Sequence, residues 1–184
     1  IYAQYSGAIA ISDTTFDGNY ADEEGGAIYV ADIEEDVLLT SNTYLENEAS
    51  ENGGAIYATL LSNLKIQTSE FIRNSSEQDG GALSTEDTQL FALRNLWCDN
   101  SAQDGGGIQV DGESEWTTLH NNRFVENEAS NRGGGIRVRQ HSANIVNNTF
   151  VGNSAYRGAG VQFHESNEYY FQNNLVSWNP SGDG

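Results

Sequence analysis

Tyr44-Leu45-Glu46-Asn47-Glu48-Ala49-Ser50-Glu51-Asn52-Gly53-Gly54-Ala55-Ile56-Tyr57-Ala58 is one phrase of a sequence that says the same thing along nearly its whole length. Its opening element is aromatic-x-x-Asn-x-small. The aromatic leads are Phe16, Tyr44, Phe71, Trp97, Phe124, Phe150 and, degenerated, Val176, with successive spacings of 28, 27, 26, 27, 26 and 26 residues. Asn19, Asn47, Asn74, Asn100, Asn127, Asn153 and Asn179 each follow three residues later. The closing element is a glycine pair before an aliphatic residue: Ile28, Ile56, Leu83, Ile108, Ile136 or Val161. A fixed period of this length is the mark of stacked coils, in which each repeat buries its apolar face only against its neighbours.

Within one repeat the apolar residues form columns. Two residues after each aliphatic stand Val30, Ala58, Thr85, Val110, Val138 and Phe163, while the residues between them, Tyr29, Tyr57, Ser84, Gln109, Arg137 and Gln162, are mixed or polar. That alternation predicts a strand with one face buried. Five residues before each aromatic comes another apolar column, Ile11, Leu39, Ile66, Ala92, Leu119, Ile145 and Phe171. Two residues before it comes a polar one, Thr14, Asn42, Ser69, Asn95, Asn122, Asn148 and Asn174. No stretch carries the i, i+3, i+4, i+7 spacing of an amphipathic helix. The fold expected is an all-β parallel β-helix, about seven rungs of 26–28 residues with three short strands each, stacked about 4.8 Å apart.

The repeated polar residues then acquire physical roles. A side-chain amide donates and accepts at once, so equivalent asparagines in successive rungs are expected to bond to one another as two structural ladders. One ladder holds Asn19, Asn47, Asn74, Asn100, Asn127, Asn153 and Asn179; the other holds Asn42, Asn95, Asn122, Asn148 and Asn174. Asparagine also tolerates the left-handed backbone of a tight turn, and the glycine pairs permit a sharp corner.

Paired Gly-Gly-Ala-Ile and Phe-x-x-Asn elements resemble the repeats of chlamydial polymorphic outer-membrane proteins. The run Ile145-Val146-Asn147-Asn148-Thr149-Phe150 is similar to the coils of the wider pectin-lyase-like group. The resemblance covers nearly the whole chain. It implies a right-handed β-helix and a secreted or surface-displayed passenger implicated in adhesion. It speaks to fold more than to activity, because function resides in sites carried by a fold.

Composition narrows the classes. Residues 1–184 read as one β-helix domain, a segment of a longer protein or a repeating subunit, since a uniform period leaves no interior boundary. The net charge of −19 excludes nucleic-acid binding by phosphate neutralisation, and no apolar run approaches a membrane span. Charge is uneven: residues 1–92 hold 17 acidic and 2 basic side chains, residues 93–184 hold 10 and 6. Just before the glycines the residue changes from Glu24, Asn52, Asp79 and Asp104 to Arg132 and Arg157, an edge running from acidic to basic. The single cysteine, Cys98, lies beside Asp99 and reads as a passive thiol.

No catalytic, cofactor or metal residue is assigned, although three alternatives are weighed. Asp22, Glu23, Glu24, Glu51, Glu77 and Asp79 occupy one turn of consecutive rungs, a weak possibility for Ca2+, without an EF-hand or a Gly-Gly-x-Gly-x-Asp array. Glu86, Asp111, Arg139 and His164 are expected to form one outward column, with Arg137 nearby. These are the residues a polysaccharide lyase or glycoside hydrolase would use, and they serve equally as cross-rung ion pairs. Of the two sequons, at Asn74 and Asn147, the first belongs to the inward ladder, so Asn147 is the better glycan acceptor. Short connections, 14 to 16 residues from each later aliphatic to the next aromatic, leave little room for an active-site loop. The function expected is therefore a non-enzymatic, extracellular or cell-surface rod. Its partners would be copies of itself end to end or a host or neighbour cell surface or glycan.

Overall fold

A computed structural model describes residues 1–112, 116–165 and 168–182. The chain winds as a parallel β-solenoid of about six turns with three sheets. One turn shows the path. Strand Ile108–Asp111 ends at Gly112, strand Trp116–His120 follows, and Asn121 turns the chain into Arg123–Val125. Glu126 turns it again into Glu128–Arg132, after which Gly133 opens the corner to Ile136–Arg139, the equivalent of the first strand. Every pairing among the described strands is parallel and joins equivalent residues of neighbouring rungs: Trp97 lies against Phe71 and Phe124, Ile136 against Ile108 and Val161.

The sheet of aromatic leads has seven strands, one for each repeat, and the sheet of short strands after the ladder asparagines has six. The remaining sheet takes in both the aliphatic strand and the strand before the polar column. In the early rungs these two run together as Ile28–Thr40 and Ile56–Gln67; from Leu83 onward they are separate strands such as Leu83–Glu86 and Leu90–Leu93. The three-strand rung is thus the pattern of the long early strands, which later rungs divide at a bend.

The interior is built from the expected columns. Ile28, Ile56, Leu83, Ile108 and Ile136 are buried, as are Leu39, Ile66, Ala92, Leu119 and Ile145. Phe16, Tyr44, Phe71, Trp97, Phe124 and Phe150 stack face on face, with ring centroids 5.0, 4.5, 4.0, 5.9 and 4.8 Å apart. Burying rings of this size adds to the aliphatic columns' apolar stabilisation, about 25 cal/mol for each Å² removed from water.

Beside the stack runs the first amide ladder. Nδ2 of Asn47 donates to Oδ1 of Asn74 at 2.9 Å, Asn74 to Asn100 at 3.0 Å, Asn100 to Asn127 at 2.9 Å and Asn127 to Asn153 at 2.8 Å. The ladder reaches Asn19 at one end and Asn179 at the other, both at 2.8 Å. Each Oδ1 also accepts the main-chain N–H of the asparagine before it, as Asn127 Oδ1 does from Asn100 at 3.1 Å. From Asn47 onward each Nδ2 donates a second bond to the carbonyl of the preceding rung's aromatic: Asn100 to Phe71 and Asn127 to Trp97, at 3.0 and 2.9 Å. The x-x between aromatic and asparagine is therefore the spacing that lets one amide reach back to that carbonyl and forward to the next amide.

The second ladder repeats this chemistry through Asn95, Asn122, Asn148 and Asn174, with amide-to-amide bonds of 3.1, 3.0 and 3.2 Å. Ser69 stands in for one asparagine: its Oγ accepts from Asn42 N at 3.1 Å, and its N–H donates to Asn95 Oδ1 at 2.8 Å. Asn42 itself donates to the Ile11 carbonyl at 3.0 Å.

The left-handed role expected of asparagine falls to Asn121, Asn147 and Asn173, each one residue before a second-ladder asparagine, and not to the ladder asparagines themselves. Among the first-ladder asparagines none has positive φ; the left-handed residue is the one before, Glu46, Arg73, Asp99, Glu126 or Trp178, with Gly18 and Gly152 in two rungs. That residue points outward, and reversing the chain there turns the following asparagine inward. The glycine pairs act as expected, with separate tasks. Gly53 has φ +65°, while a Cβ on Gly54 would collide with the carbonyl oxygens of Gly81 and Ser75, so the second glycine is required by backbone packing.

Removing one rung of the ladder should unfold its neighbours more readily. Asn100→Ala leaves the donors of Asn74 and the Phe71 carbonyl without partners and is expected to cost about 2–4 kcal/mol. Asn147→Ala, at an exposed left-handed turn outside the ladder, is expected to cost about 1 kcal/mol or less. Equilibrium urea denaturation followed by circular dichroism distinguishes the two.

Candidate functional site

The outer side of the aliphatic strand is where charge, burial and candidate residues coincide. Its distal row is in the expected register: Glu86 opposes Asp111, Asp111 opposes Arg139, and Arg139 opposes His164. Arg139 Nη2 lies 2.8 Å from Asp111 Oδ2, with both side chains part-exposed. Tyr57 Oη donates to Glu86 Oε2 at 2.9 Å, tying the column to the row beside it.

That second row differs from the expectation of a strand with one face buried. Tyr57, Ser84, Gln109 and Arg137 point away from the core, yet all four are covered, Gln109 to 1% exposure and Arg137 to 3%. The cause is the corner before each glycine pair, which doubles back over the strand. A Cβ on Gly133 would meet Arg137 Cβ, and one on Gly158 would meet Gln162 Cβ. The residues preceding the glycines are thereby laid across the row, so the edge read as running from acidic to basic is in part an interior contact.

Arg137 is the centre of this contact. Its Nη1 lies 3.1 Å from Asp104 Oδ2 and its Nε donates to Gln162 Oε1 at 3.1 Å. A charge so covered is held only with a partner, because desolvation costs several kcal/mol for each ion. At the next acidic corner Asp79 pairs its backbone with Asp104, and its carboxyl is pushed up to about 6, first by burial and then by the Asp104 charge, with Arg137 opposing. At the first corner Glu24 accepts from Asn52 Nδ2 at 3.0 Å, and burial raises its carboxyl despite that bond. Tyr2, Tyr29 and Tyr57 stack over this end with centroids 4.8 and 5.6 Å apart, beside an acidic concavity of about 480 Å³ lined by Asp22, Glu23 and Glu24. A second cavity, of about 320 Å³, lies at the C-terminal rung between Phe163, Phe171, Val176 and Asn179.

The other residues singled out from the sequence are scattered. Among the described residues no group of three or more His, Cys, Asp or Glu converges to hold a metal ion. Cys98 is half-buried on the outer face of the aromatic sheet, where burial, then Asp99 and Glu126, raise its thiol. Asn147 is exposed and Asn74 is fully buried in the ladder. His141 was not singled out from the sequence and is fully buried at the bend between two strands. Its Nδ1 lies 3.3 Å from the Gly112 carbonyl, and burial lowers its pKa. Its contribution to stability is complete above the ordinary imidazole range and is lost as the pH falls, because the unfolded chain then binds the proton more readily. Among the described residues no helix is long and apolar enough to cross a membrane.

The two arginines give a direct check on the covered row. Arg137→Leu strands Asp104 under cover and is expected to lower unfolding free energy by about 3–5 kcal/mol. Arg139→Leu breaks a part-exposed pair and is expected to cost about 1 kcal/mol or less. Urea denaturation of the two variants reads the difference.

Residues 1–176 match a family model described as the right-handed β-helix region. No curated protein and no solved structure matches the chain. The family match takes in the whole aromatic stack and the ladder from Asn19 to Asn153, and it agrees with the pectin-lyase-like resemblance of the Asn148 coil. The chain belongs to the right-handed β-helix family.

Proposed function

We propose that the chain is a non-enzymatic, extracellular or cell-surface β-helix that serves as an adhesive or structural rod. The observation that carries this reading is the state of the residues a catalyst would need. In the outward column Arg139 is bound to Asp111 and Glu86 to Tyr57, and in the covered row Arg137 is bound to Asp104, so these side chains spend their charge on joining rungs. The Gly-Gly-Ala-Ile and Phe-x-x-Asn resemblance to chlamydial polymorphic outer-membrane proteins supports the same reading, with a host or neighbour surface or a glycan as partner. No cofactor is invoked. A solenoid suits adhesion because its outer rows tolerate substitution while the inward columns keep the scaffold constant. Saturable binding of the purified chain to intact cells or to a glycan array is the expected result; its absence across a broad array contradicts adhesion.

Head-to-tail stacking into a filament is the structural variant of this role. At the C-terminal rung Phe163, Phe171, Val176 and Asn179 present the columns that a further rung of the same pattern covers, and the amide ladder has one direction throughout. A heterologous contact of that kind propagates as an open fibre. Electron microscopy at high protein concentration should show fibres with a regular axial repeat, whereas isolated rods count against assembly.

A polysaccharide lyase or hydrolase is the second reading, favoured by the part-exposed Asp79 carboxyl, which burial and then the Asp104 charge push up to about 6, a range that suits a general acid. Release of reducing ends or unsaturated sugars from acidic or neutral polysaccharides, abolished by Arg139→Ala, would establish it in place of the rod.

A further inference from the structure

The covered outer row is polar where it is most enclosed, and its polar atoms do not all find partners. Among the described residues Gln109 has neither Nε2 nor Oε1 bonded, and Asp104 Oδ1 has no partner, although its Oδ2 takes Arg137. Asp104 immediately precedes the Gly105 corner that folds over Gln109, where a Cβ on Gly105 would lie 2.8 Å from Gln109 N. The corner thus covers the strand that carries Gln109, and Asp104 Oδ1, beside the corner in sequence, is buried without a hydrogen-bond partner among the described residues.

Asp79 enters from the next rung. Asp79 and Asp104 are bridge partners, which sets their backbones one rung apart, about 4.8 Å, and the Asp104 charge acts on the Asp79 carboxyl. Backbone movement cannot separate them easily. Asp79 N donates to Asn52 Oδ1 at 3.2 Å, its carbonyl accepts from Gly53 N at 2.8 Å, and Gly80 N donates to the Asp104 carbonyl at 2.9 Å. Two carboxylates held this way repel unless a cation comes between them. The nearby guanidinium groups are already engaged: Arg137 by Asp104 Oδ2 and Gln162, Arg139 by Asp111. Calcium asks for six to eight oxygen ligands, more than two carboxyl groups and an amide beside a guanidinium provide.

A proton needs no such shell. We propose that Asp79 and Asp104 form a proton-binding site joining two rungs, in which the Asp79 carboxyl carries one proton and donates it to Asp104 Oδ1. Loss of that proton to water leaves two carboxylates facing each other and removes the bond, so the middle of the rod tightens in mildly acidic surroundings and loosens toward neutrality.

The charged groups acting on Asp79 are Asp104 and Asp111, which hold its proton on, and Arg137 and Arg139, which oppose them. Glu77, on the same turn, is exposed. With burial the largest influence, the balance lies on the protonated side up to about pH 6. The folded group therefore binds its proton more tightly than the unfolded one. Its stabilising contribution is full below the ordinary carboxylate range and is lost as the pH rises through about 6.

Carboxyl-carbon NMR of uniformly 13C-labelled protein tests this. In the native chain Asp79 should titrate near pH 6, and Asp104→Asn should move its midpoint down toward the ordinary carboxylate range. A native midpoint already in that range overturns the proposal, as does a midpoint that Asp104→Asn leaves in place. If Asp104→Asn does not fold, Asp79→Asn decides: the difference between its unfolding midpoint and that of the native chain should vary between pH 4 and 6, and a constant difference overturns the site. Subtracting one protein from the other removes the separate acid response of His141.

Discussion

A side-chain amide buried between two rungs must be satisfied from both sides, and this requirement holds the solenoid in register. Asn100 shows the whole constraint: Nδ2 donates to Phe71 O and Asn127 Oδ1, while Oδ1 accepts from the main chain and side chain of Asn74. All of its polar capacity is used, and every partner belongs to another rung. A slip of one residue would strand these groups at about 1–3 kcal/mol each and would also carry the apolar columns to the wrong face. The aromatic stack supplies area without being so exacting, as the exchange of Tyr44, Phe71 and Trp97 within one column shows.

The same register lays one outer row against the next, so rung-to-rung pairing decides what the surface can do. On the exposed column it yields ordinary ion pairs such as Arg139 with Asp111. Under the glycine corners it produces something different, because the corner backbone excludes water from the row beneath. Charge there is paired, as Arg137 is, or made costly by burial, which pushes the Asp79 carboxyl upward. A repeated scaffold thereby creates distinct chemistry at one rung through two or three substitutions in columns that remain structurally equivalent.

Much of this was legible in the sequence because it is periodic. The Asn47 and Asn95 columns, the aromatic stack and the register Glu86, Asp111, Arg139, His164 follow from counting, since parallel stacking places equivalent positions over one another. What counting misses is direction. Nothing in the alternation Ile108-Gln109-Val110 says that the preceding corner folds back over Gln109, so a covered row reads as a solvent-facing one. Likewise, at the turn before the first ladder the left-handed residue is Glu46 or Arg73, an identity that gives no signal, while the asparagine after it is bent inward to bond; only the other turn uses Asn121, Asn147 and Asn173 as left-handed residues. His141 stands at a bend, outside the repeated columns, and a histidine there has no sequence neighbour that marks it as buried.

The central claim is that buried asparagine amides lock each rung to the next, and hydrogen exchange of side-chain amides tests it most directly. By two-dimensional 15N NMR, the Nδ2 protons of Asn47, Asn74, Asn100, Asn127 and Asn153 should exchange with solvent deuterium as slowly as the core-strand main-chain amides, while those of exposed Asn147 exchange at once. Ladder amides exchanging as fast as Asn147 would contradict the account, because rungs held in register by those bonds cannot leave them open to water.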